Sequence, residues 1–139
     1  MSFTRQHGRA KHIAKQLELL KDQLLSRWRE QVRRDPEQAA EIHRLDDKEL
    51  EDHLPALANK IITALETDLP QDLDQDAAKH GRQRRALGYS VVPLLRELQI
   101  FRRVLIGMIR EIVGTEVSAE ETEHALELVV DTIDRSMNV

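Results

Sequence analysis

The sequence contains no cysteine. Disulfides, thiol catalysis and cysteine-type zinc sites are thereby excluded, and the composition suits a cytoplasmic setting. Aromatic residues make up 3% and amount to Phe3, Trp28, Tyr89 and Phe101, too few for a base-stacking platform. A basic surplus is also missing, with 21 Lys and Arg against 25 Asp and Glu and a net charge of −4. Neutralising phosphates needs excess positive charge, so no nucleic-acid partner is expected. The local basic clusters at 5–15 and 79–85 read as solvated helix faces. Long apolar runs are absent too. The longest, Val104 to Ile109, is stopped at once by Arg110 and Glu111, whereas a membrane span needs roughly 20 such residues. No apolar signal core opens the chain. Nothing alternates in the manner of a strand, and only four prolines and five glycines interrupt the helical pattern.

What is present is 40% hydrophobic and 33% charged over 139 residues, the make-up of one soluble domain. Residues 1–8 read as a flexible polar leader and residues 9–139 as the helical domain. Ile13, Leu17, Leu20, Leu24, Trp28 and Val32 recur at steps of three and four, which predicts one amphipathic helix over 9–34. Asp35-Pro36 stops it, and Pro36 opens a short helical turn through Ile42. Asp46 and Glu49 have capping-box spacing ahead of Leu50, Leu54, Leu57, Ala58, Ile61 and Leu65. Pro55 inside that run predicts a kink or a junction of two helices. The acidic stretch 68–76, with Pro70, reads as a loop.

Asp74 is expected to cap a helix over 75–86, and Gly88 to close it in a left-handed conformation. Ser90 is the expected cap of the next helix, with Pro93 in its first turn. That helix has a wide apolar face of Val91, Leu94, Leu95, Leu98, Phe101, Leu105, Met108, Ile109 and Ile112. Gly107 within it costs about 1 kcal/mol relative to alanine, which predicts a close crossing by another helix. Gly114 ends the helix. Ser118 and Glu121 form a second capping box, and Thr122, Leu126, Val129, Val130, Ile133 and Met137 mark a last helix. That helix meets no Gly or Pro before Val139, as expected of a module truncated from a longer protein. The prediction is an all-α, single-domain bundle of five to seven helices.

Few residues carry chemistry. His53, just before Pro55, is either a hydrogen-bonded side chain at the core edge or part of a ligand site. His80 and Arg84 are four apart and share a helix face, and Gly81 leaves room beside His80. Two readings of this pair stand side by side. In one, it grips an external anion, with the guanidinium making bidentate contacts. In the other, Arg84 satisfies Glu97, a charge on an otherwise apolar helix that needs a partner. Arg102, a turn and a little beyond Glu97, is assigned to the same polar set. An alternative is a haem- or metal-binding globin-like sensor using His80, with or without His53, although no tight pair such as His-x-x-x-His is present. Ser90 has no neighbouring base, and no Gly-rich phosphate loop occurs. The expectation is a protein without catalytic residues, metal or cofactor.

Several of these residues form an ordered pattern. It runs Asp52-His53-Leu54-Pro55, His80-Gly81-x-x-Arg84, Gly88-Tyr89-Ser90, then Arg96-Glu97-x-x-x-x-Arg102. The pattern resembles the RsbRD-type N-terminal domain, named for co-antagonists of the RsbT switch kinase in the stressosome. Similar domains stand at the front of bacterial sensor histidine kinases. The resemblance covers roughly Leu17 to Ser136. It implies a sensory or regulatory input domain, all-helical, globin-like without haem, and homodimeric. A downstream kinase or regulator domain would receive its signal in the full-length protein. The residues it carries over are His53, Pro55, His80, Arg84, Gly88, Glu97 and Arg102. The chain departs from the pattern at Leu98, where an aromatic commonly follows the glutamate, and in its extra arginines Arg82 and Arg85.

Overall fold

The computed structural model describes residues 10–36, 38, 40–69, 71–88, 91–112 and 117–137. Among them are seven α-helices, one 3₁₀ turn and no strand, within the all-helical class and helix count expected. The expected single helix over 9–34 is two, α1 (Lys11–Leu19) and α2 (Lys21–Arg34), separated at Leu20. No Gly or Pro marks this break. Leu20 still donates its N–H to the carbonyls of Gln16 and Leu17, so the chain turns without losing the apolar period. Ile13, Leu17, Leu24, Trp28 and Val32 are all buried, with α1 packed on the fourth helix and α2 on the sixth.

A 3₁₀ turn, Ala40–Arg44, leads to the short α3 (Asp47–Glu51). The predicted capping box is formed. Glu49 N–H donates to Asp46 Oδ1 at 2.8 Å, and Asp46 N–H donates to Glu49 Oε1 at 3.0 Å. The chain then breaks at Asp52 and resumes as α4 (Leu54–Thr67), with Pro55 in the first turn. This is the junction rather than the kink, because an absent N–H is harmless in the first turn of a helix. The next helix, α5 (Asp74–Ala86), takes in Asp74 itself. The cap position is Leu73, and Asp72 accepts the Asp74 N–H at 2.9 Å. Asp74 is thus not the cap; the acceptor lies two residues earlier. Gly88 has φ +89°, the left-handed closure expected. The last two helices are α6 (Val91–Glu111) and α7 (Ala119–Met137). The assignments made to residues 1–8, Tyr89, Ser90 and Gly114 lie outside the described residues.

The core is aliphatic. α4 packs against α1 and α7, and α6 packs against α2 and α7. Leu50, Leu54, Ile61, Leu65, Phe101, Leu105 and Ile109 are buried in it, each worth about 1.5–3 kcal/mol of transfer free energy. Two expectations about the later helices change. A Cβ on Gly107 would meet nothing within 4 Å, so no helix crosses there and the glycine lies on an open face. In α7 the inward stripe runs Glu121, Ala125, Val129, Ile133, while Leu126 is only partly buried. An amphipathic period tolerates that rotation, because a small Ala fits where the helices approach most closely.

One helix departs from the apolar rule. The buried residues of α5 are Asp76, His80, Gly81 and Arg84, with no aliphatic side chain among them. Its backbone neighbour is α4, and Lys60 of α4 reaches Asp76 at 2.6 Å.

The Ser118–Glu121 box is half formed. Ser118 Oγ accepts the Glu121 N–H at 3.0 Å, but the Glu121 carboxylate crosses to α1 and accepts the Ile13 N–H at 3.0 Å. It lies equally close to His12 Nδ1. The last helix therefore caps the first, supplying an acceptor for one of its unpaired amides. Glu121→Ala is expected to destabilise the domain by about 1–2 kcal/mol, from the lost cap and the orphaned N–H. Urea unfolding at neutral pH would measure it.

Candidate functional site

The polar face of α5 contributes His80 and Arg84 to a buried cluster of charges. Glu97 lies in the interior of α6 and is fully buried, as are His80 and Arg84. Arg84 Nε donates to Glu97 Oε2 at 2.8 Å and one terminal nitrogen donates to Oε1 at 2.9 Å, the two-pronged geometry that guanidinium and carboxylate favour. The other N–H groups are also used. They go to the Glu49 carbonyl at 3.3 Å, to the Leu50 carbonyl and to Gln83 Oε1. The five donors of the guanidinium thus have five acceptors. Glu49 and Leu50 belong to the last turn of α3, where carbonyls lack helical partners. Arg84 caps α3 while neutralising Glu97.

His80 completes the cluster. Its Nε2 lies 3.1 Å from Glu97 Oε1 and its Nδ1 3.1 Å from Asp52 Oδ2. A neutral imidazole has one N–H and would face one of these carboxylates with a lone pair, so the arrangement calls for the doubly protonated ring. Burial pushes the imidazole towards neutrality. The hydrogen bonds to Asp52 and Glu97 and the charge of Glu97 outweigh burial and the opposing Arg84, leaving His80 above its ordinary value of 6.5. Asp52 moves the other way. Burial would raise its carboxyl, but the His80 hydrogen bond and the charges of His80, His53 and Arg84 hold it below its ordinary value. Two acids and two cations make a neutral set, with Glu97, His80 and Arg84 fully buried and Asp52 at the rim; buried charges are tolerated when paired in this way.

Asp52 holds its position under strain. At φ +48°, ψ −108° it lies outside the regions that side chains other than glycine readily occupy. It is the joint between α3 and α4, and its carboxylate is fixed by His80. Gly81 serves the same contact from α5, since a Cβ there would lie 3.3 Å from Leu94 Cδ2. The space beside His80 is filled by Leu94 of α6. Trp28 closes the cluster from α2, with its indole N–H donating to the Glu97 carbonyl at 3.0 Å.

Of the residues singled out in the sequence, the structure brings His80, Arg84 and Glu97 together, and the anion this pair grips is internal. His53 stands at the margin, about a third exposed, with Nε2 3.8 Å from Asp52 Oδ1. Arg102 does not belong to the set. It leaves α6 towards α7, 3.4 Å from Asp134, because five residues along a helix rotate it well away from the Glu97 face. Asp52 was missed as a partner in favour of its neighbour His53, although it stands in the same motif. Trp28 and the α3 carbonyls carried no local signal. Among the described residues no group of three or more His, Asp or Glu side chains could hold a metal, and both ring nitrogens of His80 are engaged by carboxylates.

An all-helical domain with a buried, charge-balanced histidine network is the class defined so far. The sequence matches the family model for the RsbT co-antagonist protein rsbRD N-terminal domain over residues 22–139. The chain belongs to this family, a stressosome-type regulatory N-terminal domain. No curated protein and no solved structure matches it.

Breaking the network should be costly. Arg84→Ala leaves Glu97 buried without its main partner and is expected to lower stability by about 3–5 kcal/mol; an unchanged unfolding midpoint would mean that the pair contributes nothing. The lowered Asp52 carboxyl implies stability that is present above its unfolded value, near 3.8, and lost as pH falls through the folded one. Asp52→Asn should therefore flatten the acid limb of a stability–pH profile.

Proposed function

We propose that the chain is a signal-input domain of a stressosome-type regulator or a bacterial sensor histidine kinase, without catalytic activity of its own, working in the cytoplasm as a homodimer. Its output is a change in helix packing or dimer geometry. The observation that carries this reading is the cluster of Asp52, His80, Arg84 and Glu97. It ties the α3–α4 joint, α5 and α6 to one another through charge rather than apolar area. Such a contact has two discrete arrangements, made or broken, and a signal that favours one shifts the population. Family membership supports the regulatory role. The described helices include none long and apolar enough to cross a membrane.

Charge complementarity supports self-association. α6 exposes Arg103 and Arg110, while α7 exposes Glu120, Glu123 and Glu127. Arg103 and Arg110 are seven apart, as are Glu120 and Glu127, so each pair recurs after two turns on one helix side. An α6 face of one copy suits the α7 face of another. The haem or metal alternative on His80 gains no support, since the imidazole would have to leave both carboxylates to become a ligand.

Sedimentation equilibrium at micromolar concentration tests the pairing. The wild-type chain should sediment as a dimer, and Arg103→Glu with Arg110→Glu should yield monomers. Adding Glu120→Lys and Glu127→Lys should restore the dimer. A wild-type chain that is monomeric throughout would remove the dimer from this reading.

A further inference from the structure

We propose that α5 is a proton-controlled element: the imidazolium of His80 holds it against α3, α4 and α6, and loss of the His80 proton loosens it. The geometry argues for this before any titration is considered. The buried face of α5 is Asp76, His80, Gly81 and Arg84, so little apolar area remains to hold the helix once its charges are unbalanced. The two ring nitrogens of His80 each lie 3.1 Å from a carboxylate on a separate element, Asp52 at the α3–α4 joint and Glu97 on α6. Removing one proton turns one of those contacts into a lone pair facing a carboxylate. It also converts a neutral, largely buried set into one carrying a net negative charge. Glu97 has no exposure through which water could relieve the change in place. Glu97 is pinned by Arg84 from below and its helix by Trp28, and Asp52 is already in a strained conformation. Outward movement of α5, which admits water, is the remaining adjustment.

The groups facing His80 are few. From α5 itself comes Arg84, which disfavours its proton. The α3–α4 joint supplies Asp52, with His53 behind it, and α6 supplies Glu97. The ion pairs nearby, Lys60 with Asp76 and Arg29 with Glu51, are each matched on their own. The sign follows from the raised position of His80 in the docked state. Below its free value of about 6.5 both docked and released forms carry the proton, and docking is independent of pH. Between that value and the docked one only the docked form carries it, so release becomes up to about tenfold easier per pH unit. The device therefore responds to alkalinisation, not to acid. It names the stimulus for the input role proposed above and rests on that role for its biological use, but the helix movement is measurable whether or not the domain pairs or signals.

Hydrogen exchange of the full chain, followed from about pH 5.5 to about pH 9 and corrected for intrinsic rates, decides it. Amide protection over Asp74–Ala86, taken as a ratio to that over Lys21–Arg34, should be flat at the acid end and fall progressively above about pH 6.5. The His80 ring resonances should titrate with a midpoint above about 6.5. Asp52→Asn removes one anionic acceptor and should move that midpoint downward. His80→Gln should leave α5 weakly protected at every pH. A wild-type ratio that stays flat across the range would overturn the proposal. So would loss of protection in both segments together, a His80 midpoint at or below 6.5, or wild-type pH dependence surviving in His80→Gln. If His80→Gln does not fold, the wild-type ratio and Asp52→Asn carry the decision. A flat ratio in a chain that still dimerises would sink the proton device and leave the input role standing.

Discussion

A carboxylate placed in a dry interior dictates the arrangement of this domain. Glu97 sits on the buried face of α6 among Leu98, Phe101 and Leu105, where an unpaired charge would cost several kcal/mol. It needs a cation with the reach and geometry to enter the core, and Arg84 is that cation. The demand fixes which helix lies beside α6, how that helix is rotated and why its buried face is polar. It also explains Gly81, because the guanidinium can reach Glu97 only if α5 comes within contact of Leu94. His80 adds a second cation, and Asp52 balances it from a strained joint. Each member is intelligible only with the others in place, as expected for buried polar networks, in which partial satisfaction is worse than none.

The cluster also divides the domain energetically. α1, α2, α4, α6 and α7 share one aliphatic core, and their association scales with apolar area. α5 does not share in that area to the same degree. Replacing a buried ion set by hydrophobic residues of similar volume is often neutral or stabilising, so a network of this kind is not the strongest way to dock a helix. What it offers is specificity and dependence on charge state. The α3–α4 joint, α5 and α6 meet in the same few side chains, so any event that alters one of those charges is felt by three segments at once.

The sequence revealed the parts of this design that depend on local pattern. The Asp46–Glu49 capping box, the left-handed Gly88 and the Pro55 junction follow from residues within a few positions of one another, and all three are present. Pairing Arg84 with Glu97 was also legible, because a glutamate on an apolar helix requires a cation and Arg84 has both the charge and the reach. The break at Leu20 was not legible, since the apolar period runs through it unbroken. Glu121 was read as a local cap because spacing suggests it. Its actual acceptor role on the Ile13 amide, 108 residues away, depends on how α1 and α7 meet. Arg102 and Asp52 show the same limit from two sides. Arg102 has the right charge near the right residue but the wrong helical angle, and Asp52 has the right place only once the joint is folded.

A histidine between two carboxylates has two roles that a lysine or arginine in its place could not combine. A permanently charged residue would balance Asp52 and Glu97 at every pH and make α5 a fixed part of the core. A permanently neutral residue would leave the set unbalanced and α5 loose throughout. Histidine alone changes charge near neutrality without outside help, and here both its nitrogens are committed, so the change cannot be absorbed by a tautomer shift. Each pH unit within the linkage window alters the docking free energy by about 1.4 kcal/mol. That amount is small against an aliphatic core but comparable to the net worth of one or two hydrogen bonds, the scale on which a helix held by a handful of polar contacts is docked or released. The same proton would pass unnoticed at the α1–α4 or α6–α7 contacts. Placed under α5, it acts where the structure has least apolar area to oppose it.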